Sequence, residues 1–482
     1  MLSILVAHSY FLSFDRKQQA RAKPYPPLAT LQVASLLRHA GHRVQVFDAM
    51  LADGLDDYQN MLATNRPQLL LLYEDNFNYL SKMCLQRIRD AACTMIGLAH
   101  GSGARVIAVG SDASDEPAPY LRAGADAVLI GEGLDTLQAL VQRLDSDIAT
   151  PLRELIDSQP GIAAMIDSEL IVRRGARPSS APPHPPAWDL IDLDRYRDVW
   201  QRAHGYFSLN LAASRGCSFR CHWCAKPIWG NRYLQRDARE VAAEMTDLKR
   251  RFGAQHVWFA DDIFGFRVDW VTQFAEALHD CDGGVPFTIQ TRADLMNPAM
   301  ARALREAGCV EAWIGAESGS QRVLDSMNKG ITVDQILTAR ARLRSEQIRV
   351  GFFIQLGYLG EELDDILATR ELIERADPDD IGVSVSYPLP GTVFYQQVKR
   401  ELGTKTHWQE SSELAMMFHG RYCTSFYRAV RDLLHDYVTA QQRSRAATRS
   451  AEEQRALQLR WQRLIAAERS YRQTEDRALE AS

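Results

Sequence analysis

The chain has 482 residues, enough for two or three domains, and 46% of them are apolar and 24% charged, as in an ordinary globular protein. A net charge of −5, from 56 Lys and Arg against 61 Asp and Glu, gives no basic excess of the kind a nucleic-acid binder carries. No apolar run is long enough to span a bilayer, and MLSILVAHSYFL lacks the basic start of a signal peptide, so a cytoplasmic location is expected.

Residues 1–145 alternate strands and helices. LSILVAHS reads as a strand. PPLATLQVASLLRHAG reads as a helix, with proline at its start and Gly41 at its end. HRVQVFDA, PQLLLLYE, ARVIAVGSDAS and DAVLIGEG supply four more strands. The unbroken apolar run of PQLLLLYE suits a parallel strand covered on both faces. SKMCLQRIRDAACTMIGLAHGSG and LDTLQALVQRL are the remaining helices. The pattern is doubly wound and Rossmann-like, a fold that binds ligands at the carboxyl ends of its strands.

Residues 146–200 are expected to be a connector. In RRGARPSSAPPHPPAWDL the prolines are too dense for a helix or a central strand, which predicts an extended crossing.

Residues 201–400 change pattern. SLNLAAS, HVWFAD, PFTIQTR, VEAWIGAE, RVGFFIQLG and DIGVSVSYP are strand candidates separated by amphipathic helices. Six β/α units in about 200 residues imply a parallel sheet curled into a partial (β/α)6 TIM-type barrel, since a full eight-unit barrel takes about 250 residues. Residues 401–482 form a mostly helical C-terminal region. Its final forty residues are expected to be exposed helices.

Five of the eight cysteines are scattered, and three are clustered: Cys217, Cys221 and Cys224 in RGCSFRCHWCAKPIWG. A structural zinc site takes four ligands, often as two C-x2-C pairs, and only one such pair is present, with His222 as the adjacent alternative. A nucleophilic role needs only one cysteine. Three thiolates suit a 4Fe-4S cluster with one open iron. The loop follows the first barrel strand, at the carboxyl-end mouth where barrel chemistry is done.

C-x3-C-x2-C after that strand resembles the motif of the radical S-adenosylmethionine (radical SAM) enzymes. The resemblance implies that Cys217, Cys221 and Cys224 hold the cluster and that its open iron chelates S-adenosylmethionine. Trp223, just before Cys224, fits the cluster loop. Asp261 and Asp262 in FADDIF fall where the family accepts the methionine ammonium. Arg292 and Asp294 lie in QTRAD. Glu317 and Ser318 in GAESGSQRVLDSMNKG are similar to the segment contacting the methionine carboxylate and ribose. YPLPGTVFY, residues 387–395, resembles the adenine-side turn.

The whole arrangement resembles the radical SAM subgroup with an N-terminal cobalamin-binding domain. That implies contacts to cobalamin from Tyr73 and Glu74 in YEDNFNY, from Ser111, Asp112 and Ser114, and from Gly131, Glu132 and Gly133. The cobalt-ligating signature D-x-H-x-x-G is absent, and neither His8 nor His100 sits in it. A domain that has lost cobalamin is the competing reading.

The expected function is functionalisation of an unactivated carbon, with methyl transfer ranked first. An oxidative cyclase resembling the anaerobic magnesium-protoporphyrin IX monomethyl ester cyclase is the alternative, favoured by residues 414–438. Tyr422, Cys423 and Tyr427 there are possible substrate contacts. A non-catalytic iron–sulfur redox protein is a further alternative, disfavoured by the three-ligand loop. A methylthiotransferase needs three more cysteines in the N-terminal domain, where only Cys84 and Cys93 lie. The expected partners are a small-molecule substrate and an electron donor such as flavodoxin or ferredoxin.

Overall fold

The computed structural model describes residues 1–78, 85–157, 159–175, 179, 184–224, 228, 230–403, 414–445 and 451–473. The chain divides into two compact units. The first takes in Met1–Ser218 and Ala225–Asp262, and the second Phe219–Cys224 and most of the chain from Ile263 onward.

The N-terminal sheet is built from β1 (Ser3–Ala7), β2 (Arg43–Phe47), β3 (Leu69–Tyr73), β4 (Arg105–Val109) and β5 (Ala127–Leu129). It is extended by β6 (Ile162–Ile166) and β7 (Glu169–Arg173), in the order β2-β1-β3-β4-β5-β6-β7. β1 to β5 pair in parallel. The strand order reverses between β1 and β3, the switch point where open α/β sheets bind ligands. All five residues of β3 are buried, as its unbroken apolar run predicts.

The second half adds β8 (Ser208–Leu211), a small ladder of β9 (Ser214–Arg215) with β10 (Leu234–Gln235), then β11 (His256–Phe259), β12 (Phe287–Thr291), β13 (Cys309–Glu317), β14 (Arg349–Leu356) and β15 (Asp380–Val385). β8 pairs in parallel with β11 in the first unit. In the second unit β12 to β15 pair in parallel. The fold is α/β with parallel sheets and a helical C-terminal region, as the sequence predicts, and every expected strand is present.

Besides the proline-rich stretch, of which residues 176–178 and 180–183 lie outside the described residues, the span 146–200 holds the helix Leu152–Asp157, the β6–β7 hairpin and most of the helix Leu193–His204. The hairpin turns on Asp167 and Ser168, with φ of 51° and 68°, as a two-residue turn between right-twisted strands requires. The crossover helix Leu55–Asn65 also escaped the sequence reading, because its mixed polar face weakens the helical period.

The C-terminal helices are not simply exposed. Leu457, Trp461 and Leu464 of the helix Ala451–Ala466 are buried, and the Arg370 guanidinium lies 5.0 Å from the Trp461 ring centroid. Buried Glu468 accepts a 2.7 Å hydrogen bond from the Tyr422 hydroxyl.

Candidate functional site

In the first unit, β8 ends at Leu211 and the chain passes through Ala212 and Ala213 into the short strand β9. Asp261, just past β11, receives the Ala213 N–H at 3.0 Å and the Ser214 hydroxyl. Burial pushes its pKa up to about 7, against the lowering by those bonds. Asp261 therefore fixes the strand that launches the cysteine loop. Asp262, beside it, is half-buried.

Cys217 is buried, two residues past Arg215. Arg215 pairs with Glu132 and donates to the Ser179 carbonyl at 3.1 Å. Glu132 also accepts the Ser179 N–H at 2.9 Å, and its carbonyl accepts the Tyr73 hydroxyl at 2.9 Å. Two of the residues expected at the cobalamin, Tyr73 and Glu132, thus meet each other and the cysteine strand.

The other expected cobalamin residues surround the carboxyl ends of β1, β3, β4 and β5. Buried Glu74 accepts from the Ser9 hydroxyl at 2.6 Å and the Ser9 N–H at 3.1 Å. Burial raises its pKa despite His8 and those bonds. Ser114 donates to the Gly110 carbonyl at 2.7 Å and accepts the Gly131 N–H at 2.9 Å. Asp112 is held by Arg89 at 2.5 and 2.6 Å and by the Tyr120 hydroxyl at 2.7 Å. Gly131 and Gly133 have φ of 82° and 67°. The Ser111 hydroxyl is buried with no hydrogen-bond partner among the described residues, which suits an incoming polar ligand. His8 Nε2 is engaged with Asp48 Oδ1 at 3.0 Å and the Ala49 N–H at 3.1 Å. Tyr79 and Cys84 lie outside the described residues.

In the second unit, the segment 326–330 grips the cysteine loop. The Met327 carbonyl accepts the His222 N–H at 2.9 Å, His222 Nδ1 lies 3.1 Å from the Ser326 carbonyl, and the Asn328 amide donates to the Arg220 carbonyl at 2.9 Å. Arg292, after β12, is held by Asp294 at 2.9 and 3.1 Å. It stacks 3.6 Å from the Phe219 ring centroid, and one of its nitrogens lies 3.8 Å from Cys221 Sγ.

Lys329 is the residue the sequence reading passed over. Its Nζ lies 2.7 Å from Glu317 Oε1 and 5.9 Å from the Trp223 ring centroid, and it is buried. Burial opposes its charge, but Glu317 and Cys221 outweigh burial and raise its pKa. Glu317 has φ of 61°, an unusual conformation for a non-glycine residue and one that clusters at functional sites. The signal lay in MNKG, a lysine beside a helix-ending turn. Ser318 instead packs into the fold, its hydroxyl 3.1 Å from that of Thr369. Tyr427 is buried against Gly357, and Cys423 Sγ lies 3.1 Å from the Ser425 hydroxyl.

Among the described residues no three His, Cys, Asp or Glu side chains are gathered at metal-holding geometry. The donor set is what fits a cluster: three thiols outside any disulfide on one loop, with Arg292 and Lys329 beside its second half.

Residues 211–373 match the Radical SAM superfamily. The chain carries a radical SAM domain. Its relatives include an uncharacterized methyltransferase of Pyrococcus horikoshii, 26% identical over 62% of this chain and 64% of that protein, so less than two thirds of that relative is matched. They also include the anaerobic magnesium-protoporphyrin IX monomethyl ester cyclase of Rubrivivax gelatinosus, 24% identical over 79% of this chain and 67% of that one. Beyond the radical SAM domain, the fold resembles that of TsrM, a radical S-adenosylmethionine methyltransferase of Kitasatospora setae solved with cobalamin and a 4Fe-4S cluster bound. That match has a TM-score of 0.63 at 17% identity and covers 84% of this chain and 79% of TsrM. No helix among the described residues is long and apolar enough to cross a membrane.

Proposed function

We propose that this protein is a cobalamin-dependent radical SAM enzyme that transfers a methyl group to an unactivated carbon of a small molecule. The observation that carries the reading is the pairing of a Rossmann-like sheet with a C-x3-C-x2-C loop launched from the first strand of a parallel β/α array. Two of the three proteins compared above are named methyltransferases.

In this reading residues 1–145 form the cobalamin domain, 146–200 a connector, 201–400 the partial radical SAM barrel and 401–482 a mostly helical C-terminal region. Cys217, Cys221 and Cys224 hold the cluster. When bound, the cluster and S-adenosylmethionine supply a 5′-deoxyadenosyl radical, and cobalamin supplies a transferable methyl group. The chain's own residues position these groups and exclude water. Lys329, oriented by Glu317, and Arg292, oriented by Asp294, present cations suited to the methionine carboxylate. Asp262 is the acidic group offered to the ammonium. Ser111 offers its unsatisfied hydroxyl to the cobalamin nucleotide tail. An external reductant such as flavodoxin or ferredoxin supplies the electron, and the location is cytoplasmic.

The second reading is an oxidative cyclase, favoured because the Rubrivivax cyclase aligns with 79% of the chain. Mass analysis of reduced, reconstituted enzyme with candidate substrates separates the two. S-adenosylhomocysteine formed together with 5′-deoxyadenosine supports methyl transfer, and 5′-deoxyadenosine without it supports the cyclase.

A further inference from the structure

The Arg215–Glu132 ion pair is an unusual thing to bury. Arg215 is 6% exposed and Glu132 2%. An ion pair withdrawn from water gives up hydration that its Coulomb attraction does not automatically return, so it persists where its geometry is tightly determined. Here it is. The Ser179 N–H and carbonyl bond Glu132 and Arg215, and the Tyr73 hydroxyl bonds the Glu132 carbonyl from the neighbouring part of the sheet. Neither charged group is exposed enough to meet a substrate.

What the pair joins is more informative than its burial. Arg215 stands in β9, two residues before Cys217. Glu132 stands in the Gly131-Glu132-Gly133 turn after β5, where both glycines have positive φ. The far side of the cysteine loop returns to that same turn: a Cβ on Gly131 would lie 3.7 Å from the Ile228 carbonyl oxygen, four residues past Cys224. Both flanks of the loop therefore rest on one three-residue turn, and all of these contacts lie within the first compact unit. Ser114, through its bond to Gly131 N–H, ties that turn to the helix that begins at Ser111.

We infer that the Arg215–Glu132 pair is a positioning device that couples the cluster loop to the cobalamin-side turn, so that cluster assembly and cobalamin binding strengthen each other. The inference rests on the proposed function. Neither residue touches a reacting atom. Arg215 acts through Cys217, and Glu132 through the turn. A ligand that orders one end of such a linkage lowers the cost of ordering the other, and the coupling is necessarily reciprocal.

Hydroxocobalamin affinity tests this without a substrate. It is measured from the visible spectrum on full-length protein with and without reconstituted iron and sulfide. The wild type should bind about fivefold more tightly, or better, with the cluster in place, the low end of ordinary coupling. The Arg215→Gln/Glu132→Gln double variant removes both charges together, so neither is left uncompensated. It should still load iron and bind hydroxocobalamin, but with equal affinity in the two states. A residue that merely supported the fold would lower both affinities and keep their ratio. If the double variant fails to fold, Glu132→Asp keeps both charges, shortens the reach and should shrink the ratio. A ratio unchanged in the variants, or a ratio of one in the wild type, overturns the inference while leaving the proposed function intact. A wild type that binds no hydroxocobalamin overturns the proposed function, and the inference with it.

Discussion

The Nζ of Lys329 lies 2.7 Å from Oε1 of Glu317, and the pair occupies the space beside Gly315 that a side chain there would fill. A Cβ on Gly315 would stand 2.6 Å from Glu317 Oε1 and 2.7 Å from Lys329 Nζ. The glycine, the left-handed backbone of Glu317 and the lysine are thus one construction, with Lys329 carried on the segment that grips the cysteine loop.

Gly315→Ala should displace the pair. We expect a stability loss of about 1–3 kcal/mol from overpacking. Affinity for S-adenosylmethionine should fall at least tenfold, while iron content stays near wild type. Equilibrium binding to reconstituted protein, with iron analysis on the same sample, checks both.

Lys329→Met leaves the buried Glu317 carboxylate without its cation, which costs on the order of 3–5 kcal/mol. The Lys329→Met/Glu317→Gln double variant should recover most of that stability and none of the S-adenosylmethionine affinity. Urea denaturation together with equilibrium S-adenosylmethionine binding, measured on both variants, distinguishes a role in binding from one in folding alone.

Glu361 gives a pH signature. It is buried, its Oε2 accepts the Gly357 N–H at 2.6 Å, and its Oε1 has no hydrogen-bond partner among the described residues. Burial pushes its pKa up to about 8 from 4.5, despite that bond. The folded protein therefore keeps a proton that the unfolded chain has already lost. Stability contributed this way is greatest near pH 4.5 and falls as pH rises toward about 8. The drop is on the order of a few kcal/mol at about 1.4 kcal/mol per unit. Asp261, raised in the same direction, adds to the slope. Glu361→Gln should flatten the curve between pH 5 and 8, and a difference profile of urea midpoints against pH isolates its share.

Ser111→Ala should separate the ligand-free from the loaded protein. The hydroxyl has no partner to lose, so the variant without cobalamin should be at least as stable as wild type. Its hydroxocobalamin affinity should fall by about 2–10-fold, the worth of one hydrogen bond. A variant that loses stability and keeps affinity would remove Ser111 from the cobalamin site.

Trp461→Ala should cost about 3–5 kcal/mol, because the indole is fully buried. A thermal midpoint unchanged by the substitution would return the C-terminal helix to the exposed status its charge-rich sequence predicts.

That contrast shows what the sequence carried. The strands were legible because they are short apolar runs bounded by turn residues, such as LLLLY in β3, a length and composition that suit strands covered on both faces. The cysteine loop was legible because its spacing is local. The β6–β7 hairpin was hidden by the proline cluster that follows it and by a turn made of Asp167 and Ser168 without glycine. Trp461 was hidden because one buried indole on a charged helix does not change its period. Local motifs singled out Arg292 and Glu317 as candidates but not what they touch. Lys329 and Arg215 matter through partners 12 and 83 residues away in the chain, and such pairings exist only once the sheets are assembled.

In the proposed function Cys217, Cys221 and Cys224 hold a cluster that opens S-adenosylmethionine reductively. Anaerobically reconstituted protein, reduced and given S-adenosylmethionine, should form 5′-deoxyadenosine detectable by mass analysis. The Cys217→Ala/Cys221→Ala/Cys224→Ala variant should hold no cluster iron and form none. Equal iron and equal 5′-deoxyadenosine from the wild type and the triple variant would contradict the account.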